Sequence, residues 1–295
     1  MKIAILILLH EYGWQQEKLV THLSKDFDVY VHVDKRTSIE IVNIQKKNVH
    51  AYKQFKVYWG HYNQILATLF LLETAHNQGY DRFIFISGED VPLKSNLAIQ
   101  SFFENNDSEY LSYCTLPHPD WPGNGGLDRI DYWHVRALNS GRVNCFESVC
   151  LKCLSYINDT YVKPLMKRWG IRRRINGLQY YGGCNWMDLT GCCVSQIIRF
   201  VRKNQWFLRK FKYSRCADEI FFQTIVCSFA KNIQIENNCL RYTDWQNCTA
   251  HPKVLRMEDY GKLKGSTCLF ARKFKSEIDA DIIHALYRDL EKDNG

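Results

Sequence analysis

The chain of 295 residues has no internal repeat, no low-complexity tract and no long linker. Solenoids and tethered modules are thereby excluded, leaving one large domain or two small ones. It also lacks an apolar run of membrane length. Residues 2–9 (KIAILILL) are apolar but too short to cross a bilayer, and they run into His10 and Glu11 without the small-residue cleavage site of an export signal. The expectation there is a first β-strand, with the domain beginning at the start of the chain. A cytoplasmic location and mostly free thiols among the 12 cysteines follow from that reading. The sequons starting at Asn106, Asn158 and Asn247 then carry no meaning. Cys145, Cys150 and Cys153 have no histidine close by and read as buried thiols, with zinc as the alternative. No nucleic-acid recognition motif accompanies the net charge of +8. The basic tracts at 167–174 (KRWGIRRR) and 202–215 point instead to a nucleotide, an acidic glycan or an anionic membrane surface, or to a solvated basic face.

What is present is a chain that is 46% hydrophobic, ample for a sizeable core, with strands and helices alternating over its first hundred residues. Strands are expected at 2–9, 28–33 and 83–87, and helices at 15–24, 60–77 and from Ser95 or Asn96 to Phe103. Later elements are a strand at 186–189 and helices at 194–201, 218–229 and 277–291. Such alternation argues for an α/β fold with a mostly parallel sheet and ligands at its carboxyl edge. Residues 115–180 resist this reading, apart from the loop chemistry of 117–126 (PHPDWPGNGG). The most informative stretch is 83–96 (FIFISGEDVPLKSN). There a buried strand runs into Gly88, Glu89 and Asp90, and Pro92 should block its continuation.

Several residues carry candidate chemistry. Asp218 and Glu219 precede an apolar helical run, where the helix dipole favours ionised acids; they are either caps or a carboxylate ready to take a proton. Asp34 ends the second strand, where an acid can bond ribose hydroxyls or a base edge. The Asp-x-Asp pattern that holds a metal in many nucleotide-sugar transferases occurs at 26–28 and 279–281, neither of them following a strand. A nucleotide diphosphate bound here would therefore be neutralised by protein cations. Arg272 and Lys273 in the run LFARKF and Lys253 after His251 are the candidates, the alternative being that Arg272 and Lys273 simply point outward from a strand.

Taken together, these blocks resemble the core-2/I-branching β-1,6-N-acetylglucosaminyltransferase family, which includes the peptide O-xylosyltransferases. The first strand with His10, then VHVD at 31–34, VYWG at 57–60, SGEDVPL at 87–93, GCNWMDLT at 183–190, ADEIFFQT at 217–224, LRYTDW at 240–245 and LFARKF at 269–274 occur in the family's order. The resemblance implies a GT-A type fold in a single catalytic domain over 1–295. Its nucleotide-binding half covers roughly 1–110 and its acceptor-binding and catalytic half 111–295. It implies an inverting, metal-independent transfer from a UDP-sugar, UDP-GlcNAc or its rival UDP-xylose, to a hydroxyl of a glycan or lipid-linked glycan, with no cofactor. Glu219 falls on the family's base, Lys273 on its diphosphate-binding lysine, and Lys253 near the partner arginine. Trp245 falls on the tryptophan that packs on the acceptor, and Asp34 is expected to face the uridine. His10 and Arg272 join the donor side; Glu89, Asp90, Trp186, Asp218 and Arg241 line the pocket, with Asp90 as an orienting acceptor. Contact with the inner face of an anionic membrane through 167–174 is a further expectation. Two other classes remain: a glycoside hydrolase using Asp90 and Glu219, and a binding protein without turnover.

Overall fold

The computed structural model describes residues 1–134, 145–246 and 251–292, and within the helix at 145–157 it leaves the side chains of 145–148 and 151 undescribed. The Asn247 sequon and the Cys145 side chain therefore lie outside the described residues.

Strand β1 (Ile3–Leu9) is the centre of the fold. It pairs in parallel with β2 (Asp28–Val33) on one side and with β4 (Arg82–Ser87) on the other; β3 (Val49–Tyr52) extends the sheet beyond β2. Because side chains alternate along a strand, β1 feeds two cores. Ile3, Ile5, Ile7 and Leu9 join Leu19, Val20 and Leu23 of the Trp14–Leu23 helix on one face. Ala4 and Leu6 join Leu69 and Leu72 of the Tyr62–His76 helix and Phe221 and Phe222 of the Asp218–Phe229 helix on the other. Burial on both faces explains why these strands read as continuous apolar runs.

Beyond β4 the sheet continues through β9 (Met187–Thr190), β6 (Glu109–Leu111) and β10 (Ile235–Glu236), giving seven strands in the order β10-β6-β9-β4-β1-β2-β3. β9 runs antiparallel to both neighbours. A two-stranded ribbon of β7 (Cys114–Leu116) and β8 (Tyr180–Gly182) stands beside it.

A second, three-stranded sheet forms where the sequence predicts a stop. β5 (Asp90–Pro92) follows β4 almost at once and pairs antiparallel with β12 (Phe270–Arg272), which pairs in parallel with β11 (Arg241–Thr243). Pro92 is thus the last residue of an edge strand, where the missing N–H costs no ladder bond. Val91 and Ala271 pack with Ile282, Ile283 and Leu286 of the Ala280–Lys292 helix in a third core. Gly88 acts by close approach: a Cβ there would meet Leu9 Cδ2 at 2.5 Å.

One buried ion pair fastens the two sheets. Arg241, on β11, places both terminal guanidinium nitrogens on the two carboxylate oxygens of Asp188, on β9, at 2.5 Å each, and donates to the carbonyl of Phe85 on β4 at 2.8 Å. Both side chains are fully buried. Arg241 is therefore a fastening between sheets and not the pocket-lining residue that the sequence suggests. Removing one partner of such a pair strands a buried charge. Arg241→Met should lower unfolding free energy in urea by about 3–5 kcal/mol, and the double change with Asp188→Leu should recover most of it. A cost near zero for the single variant would contradict the assignment.

Candidate functional site

The carboxyl ends of β1 and β4 and the end of β12 converge on a cluster of charge. Glu89 is buried, and its carboxylate faces three cations: Lys273 at 3.0 Å, Arg272 at 3.9 Å and Lys275 at 3.9 Å. Arg272 lies opposite Asp90 in the β5–β12 register, with Nε 3.5 Å from its carboxylate. The Arg272 guanidinium also stacks 4.0 Å above the Trp186 ring, which rests on Phe85. Asp90 is completely buried and accepts from the Ser87 hydroxyl at 2.6 Å. Burial pushes its carboxyl above the usual range against the opposing pull of Arg272. An acid so enclosed orders the Ser87–Asp90 turn, and its oxygens are committed to Ser87 and Arg272.

Of the residues expected on the donor side, His10, Arg272 and Lys273 come together, around Glu89, which the sequence assigns to the pocket wall. His10, Glu11 and Glu89 also bring ligand atoms within 4.8 Å of one another, a grouping with the chemistry to hold a cation. The three cations around Glu89 oppose that use of its carboxylate. Lys275 was missed by the sequence reading, although its signal was present: it lies two residues after Lys273 in the same basic run.

Two other expected donor residues are otherwise committed. Asp34 sits at the carboxyl end of β2, but its buried carboxylate is filled by the Arg36 side chain at 2.8 Å and by backbone N–H groups of Arg36 and Val57 at 2.9 and 3.1 Å. Arg36 in turn stacks 4.0 Å from the Tyr58 ring. Asp34 therefore shapes the loop to β3 and beyond. Lys253 runs alongside the cluster, since Leu255 N–H bonds the Lys273 carbonyl at 2.9 Å. Its amine, however, is held by Glu258 and Asp259 at 2.8 Å each, which raises its pKa.

Glu219 occupies the first turn of its helix beside the buried Asp218, with its side chain 34% exposed. The segment 183–186 links it to the charge cluster. Gly183 N–H bonds the Glu219 carbonyl at 2.9 Å, Gln223 bonds the Cys184 carbonyl at 2.6 Å, and Trp186 carries Arg272. A Cβ at Gly183 would meet the Ser112 carbonyl oxygen at 1.8 Å, so only glycine fits there. Within this segment the Asn185 amide is buried, with neither of its polar atoms bonded among the described residues.

The Glu219 carboxylate is paired with Arg129, which the sequence reading did not find. Arg129 stacks 4.4 Å over Trp121, and Trp121 fills a slot that glycines create. A Cβ at Gly126 or Gly182 would meet its ring at 2.6 or 2.7 Å. The Trp and the glycines of 117–126 were the available signal. Trp245, the expected acceptor platform, is 55% exposed at the end of β11.

The profile of the Core-2/I-Branching enzyme family matches residues 4–264. No curated protein matches the chain. Among solved structures, the chain is similar to a glycosyltransferase involved in the glycosylation of the major capsid of PBCV-1. That likeness has 9% identity and a TM-score of 0.38, covering 98% of this chain and 100% of that one. It is also similar to 4-diphosphocytidyl-2C-methyl-D-erythritol synthase from Anaerococcus prevotii DSM 20548, with 11% identity and a TM-score of 0.38, over 80% of this chain and 88% of that one. Likenesses this distant carry no argument about chemistry.

The charge cluster has a test whose sign decides its use. If Glu89 is a counter-ion to Lys273 and Lys275, Glu89→Gln should bind inorganic pyrophosphate about tenfold more tightly at low salt. Calorimetry without divalent ions reads the change. Weaker binding, and only with added magnesium or manganese, would make Glu89 a cation ligand with His10 and Glu11.

Proposed function

Since this chain belongs to the Core-2/I-Branching enzyme family, and with it to the glycosyltransferases, we propose that it moves a sugar from a UDP-sugar to a glycan hydroxyl by a single inverting displacement that needs no metal. GlcNAc is the proposed sugar, with xylose as the other donor, and the acceptor is a glycan or lipid-linked glycan of surface polysaccharide or glycoconjugate synthesis. One observation carries the reading. Glu219 is a partly exposed carboxylate at a helix N-terminus, oriented by Arg129 and tied through 183–186 to a cluster of cations.

In this mechanism the acceptor hydroxyl gives its proton to Glu219 as its oxygen bonds to the anomeric carbon. The bond from that carbon to the diphosphate oxygen breaks, and UDP leaves with inversion. No covalent intermediate forms, so one base suffices. Charge developing on the leaving diphosphate is met by Lys273, with Arg272 and Lys275 beside it. Lys253 would join only by leaving Glu258 and Asp259, so Lys275 takes the place first assigned to it. Trp245 offers an aromatic face to the acceptor sugar. The intact base and cation set favours turnover over a binding-only role.

Glu219→Gln should reduce transfer by about 10²–10⁴-fold, the usual contribution of a general base, while UDP binding by calorimetry stays near the parent value. Most activity surviving in that variant would remove the assignment. Transfer that vanishes in EDTA and returns with manganese would overturn the metal-free account and return attention to His10, Glu11 and Glu89.

A further inference from the structure

Residues 145–168 form one continuous helix. Cys145–Ile157 and Lys163–Arg168 are α-helical, and Asn158–Val162 between them is a wider π turn flanked by residues in right-handed helical geometry. Pro164 accounts for the widening: it has no N–H for the carbonyl one turn earlier, and its ring would crowd that carbonyl.

Along this helix an apolar residue or a thiol recurs every four positions: Val149, Cys153, Ile157, Tyr161, Leu165 and Trp169. All six are exposed, Tyr161 and Trp169 by 62% and 65%. Four residues overshoot a helical turn slightly, and the wide turn at 158–162 takes up part of that drift, so the stripe runs along the helix. Leu154 and Ile171 extend the exposed apolar surface. The other side is docked on the fold: Met166 is buried, and the buried Asn158 donates to the Trp133 carbonyl at 2.7 Å. The cysteines read from sequence as buried thiols, Cys150 and Cys153, are exposed here. A surface helix normally turns its apolar side inward; this one turns such a side to water, and an apolar patch of that kind marks an interaction site.

Charge selects the partner. Residues 149–174 hold seven Lys and Arg against one acid, Asp159. The tract expected to face a membrane is partly spent inside the fold. Lys167 pairs with Asp128 at 2.9 Å, Arg174 with Asp131 at 3.4 Å, and Arg173 donates to the carbonyls of Lys210 and Lys212. Lys152, Arg168 and Arg172 are exposed. Two copies meeting stripe to stripe would bring like charges together, whereas an anionic lipid surface takes the apolar side chains into its acyl boundary and the cations among its headgroups. No described helix is long and apolar enough to cross a membrane.

We infer that the exposed face of residues 149–171 docks the chain on an anionic lipid bilayer, with the helix lying in the plane of the interface. The docking helix is clamped beside the Glu219 site: Lys167 holds Asp128, and the next residue, Arg129, holds Glu219. Lipid binding needs neither donor nor acceptor, so its outcome is separate from that of the transfer reaction.

Co-sedimentation with vesicles of phosphatidylcholine, with and without phosphatidylglycerol, tests the inference on the whole protein. The parent should bind the anionic vesicles, less so at raised salt and on phosphatidylcholine alone. Ile157→Ser/Leu165→Ser/Trp169→Ser, all at exposed positions, should weaken binding at least about tenfold with an unchanged thermal midpoint. Lys152→Glu/Arg168→Glu, which leaves the stripe intact, should also weaken it. Absence of parent binding to anionic vesicles, or equal binding by parent and both variants, would overturn the inference. So would a parent dimer that the triple variant converts to monomer without any vesicle binding, because the stripe would then belong to a second copy.

Discussion

The pairing of Arg241 with Asp188 sets the geometry on which the remaining site depends. Arg241 belongs to the small sheet and Asp188 to the large one, and the same guanidinium reaches the Phe85 carbonyl on a third strand. With both groups out of water, desolvation offsets much of their attraction, so the pair contributes less net stability than its short contacts suggest. Its contribution is to exclude other placements: sliding the small sheet by one residue would bury two unmatched charges. Fixing β11 fixes β12, and β12 carries Arg272 over Trp186 and delivers Lys273 to Glu89.

The charged groups then fall into two sets joined by one short segment. Cations gather at the carboxyl edge of the large sheet, and a carboxylate stands at the start of the Asp218–Phe229 helix. Residues 183–186 touch both, through the Gly183 N–H on one side and the Trp186 ring on the other. The proposed transfer would use both parts, because negative charge grows on the leaving group while a proton departs from the acceptor. The Arg129 contact adds orientation to the carboxylate, and the glycine-lined slot around Trp121 holds Arg129 in place.

Legibility in the sequence followed the range of the interactions. β1, β2 and β4 were readable because burial on two faces writes itself as uninterrupted apolar runs. The Asp218–Phe229 helix was readable because acids before an apolar run are a local signal, but that signal alone fits a cap, and only the ADEIFFQT resemblance singled out Glu219. The three-residue strands of the small sheet were not, since β5 gains its identity from a partner some 180 residues later. Asp34, Lys253 and Arg241 looked like ligand contacts for the same reason that any charged residue in a motif does. Their true partners, Arg36 with Val57, Glu258 with Asp259, and Asp188, are choices of tertiary packing. Arg129 was hidden in a stretch without periodicity, where only the glycines around Trp121 hinted at close packing.

The Glu89 carboxylate already sits among Lys273, Arg272 and Lys275, so an anion entering there substitutes for a resident counter-charge and does not meet bare cations. Affinity is then the difference between two pairings, smaller than either alone, and departure of the anion leaves the cations matched again. For the proposed diphosphate, the cluster would act as an ion exchanger with its own built-in eluent, suited to releasing one charged molecule before accepting the next.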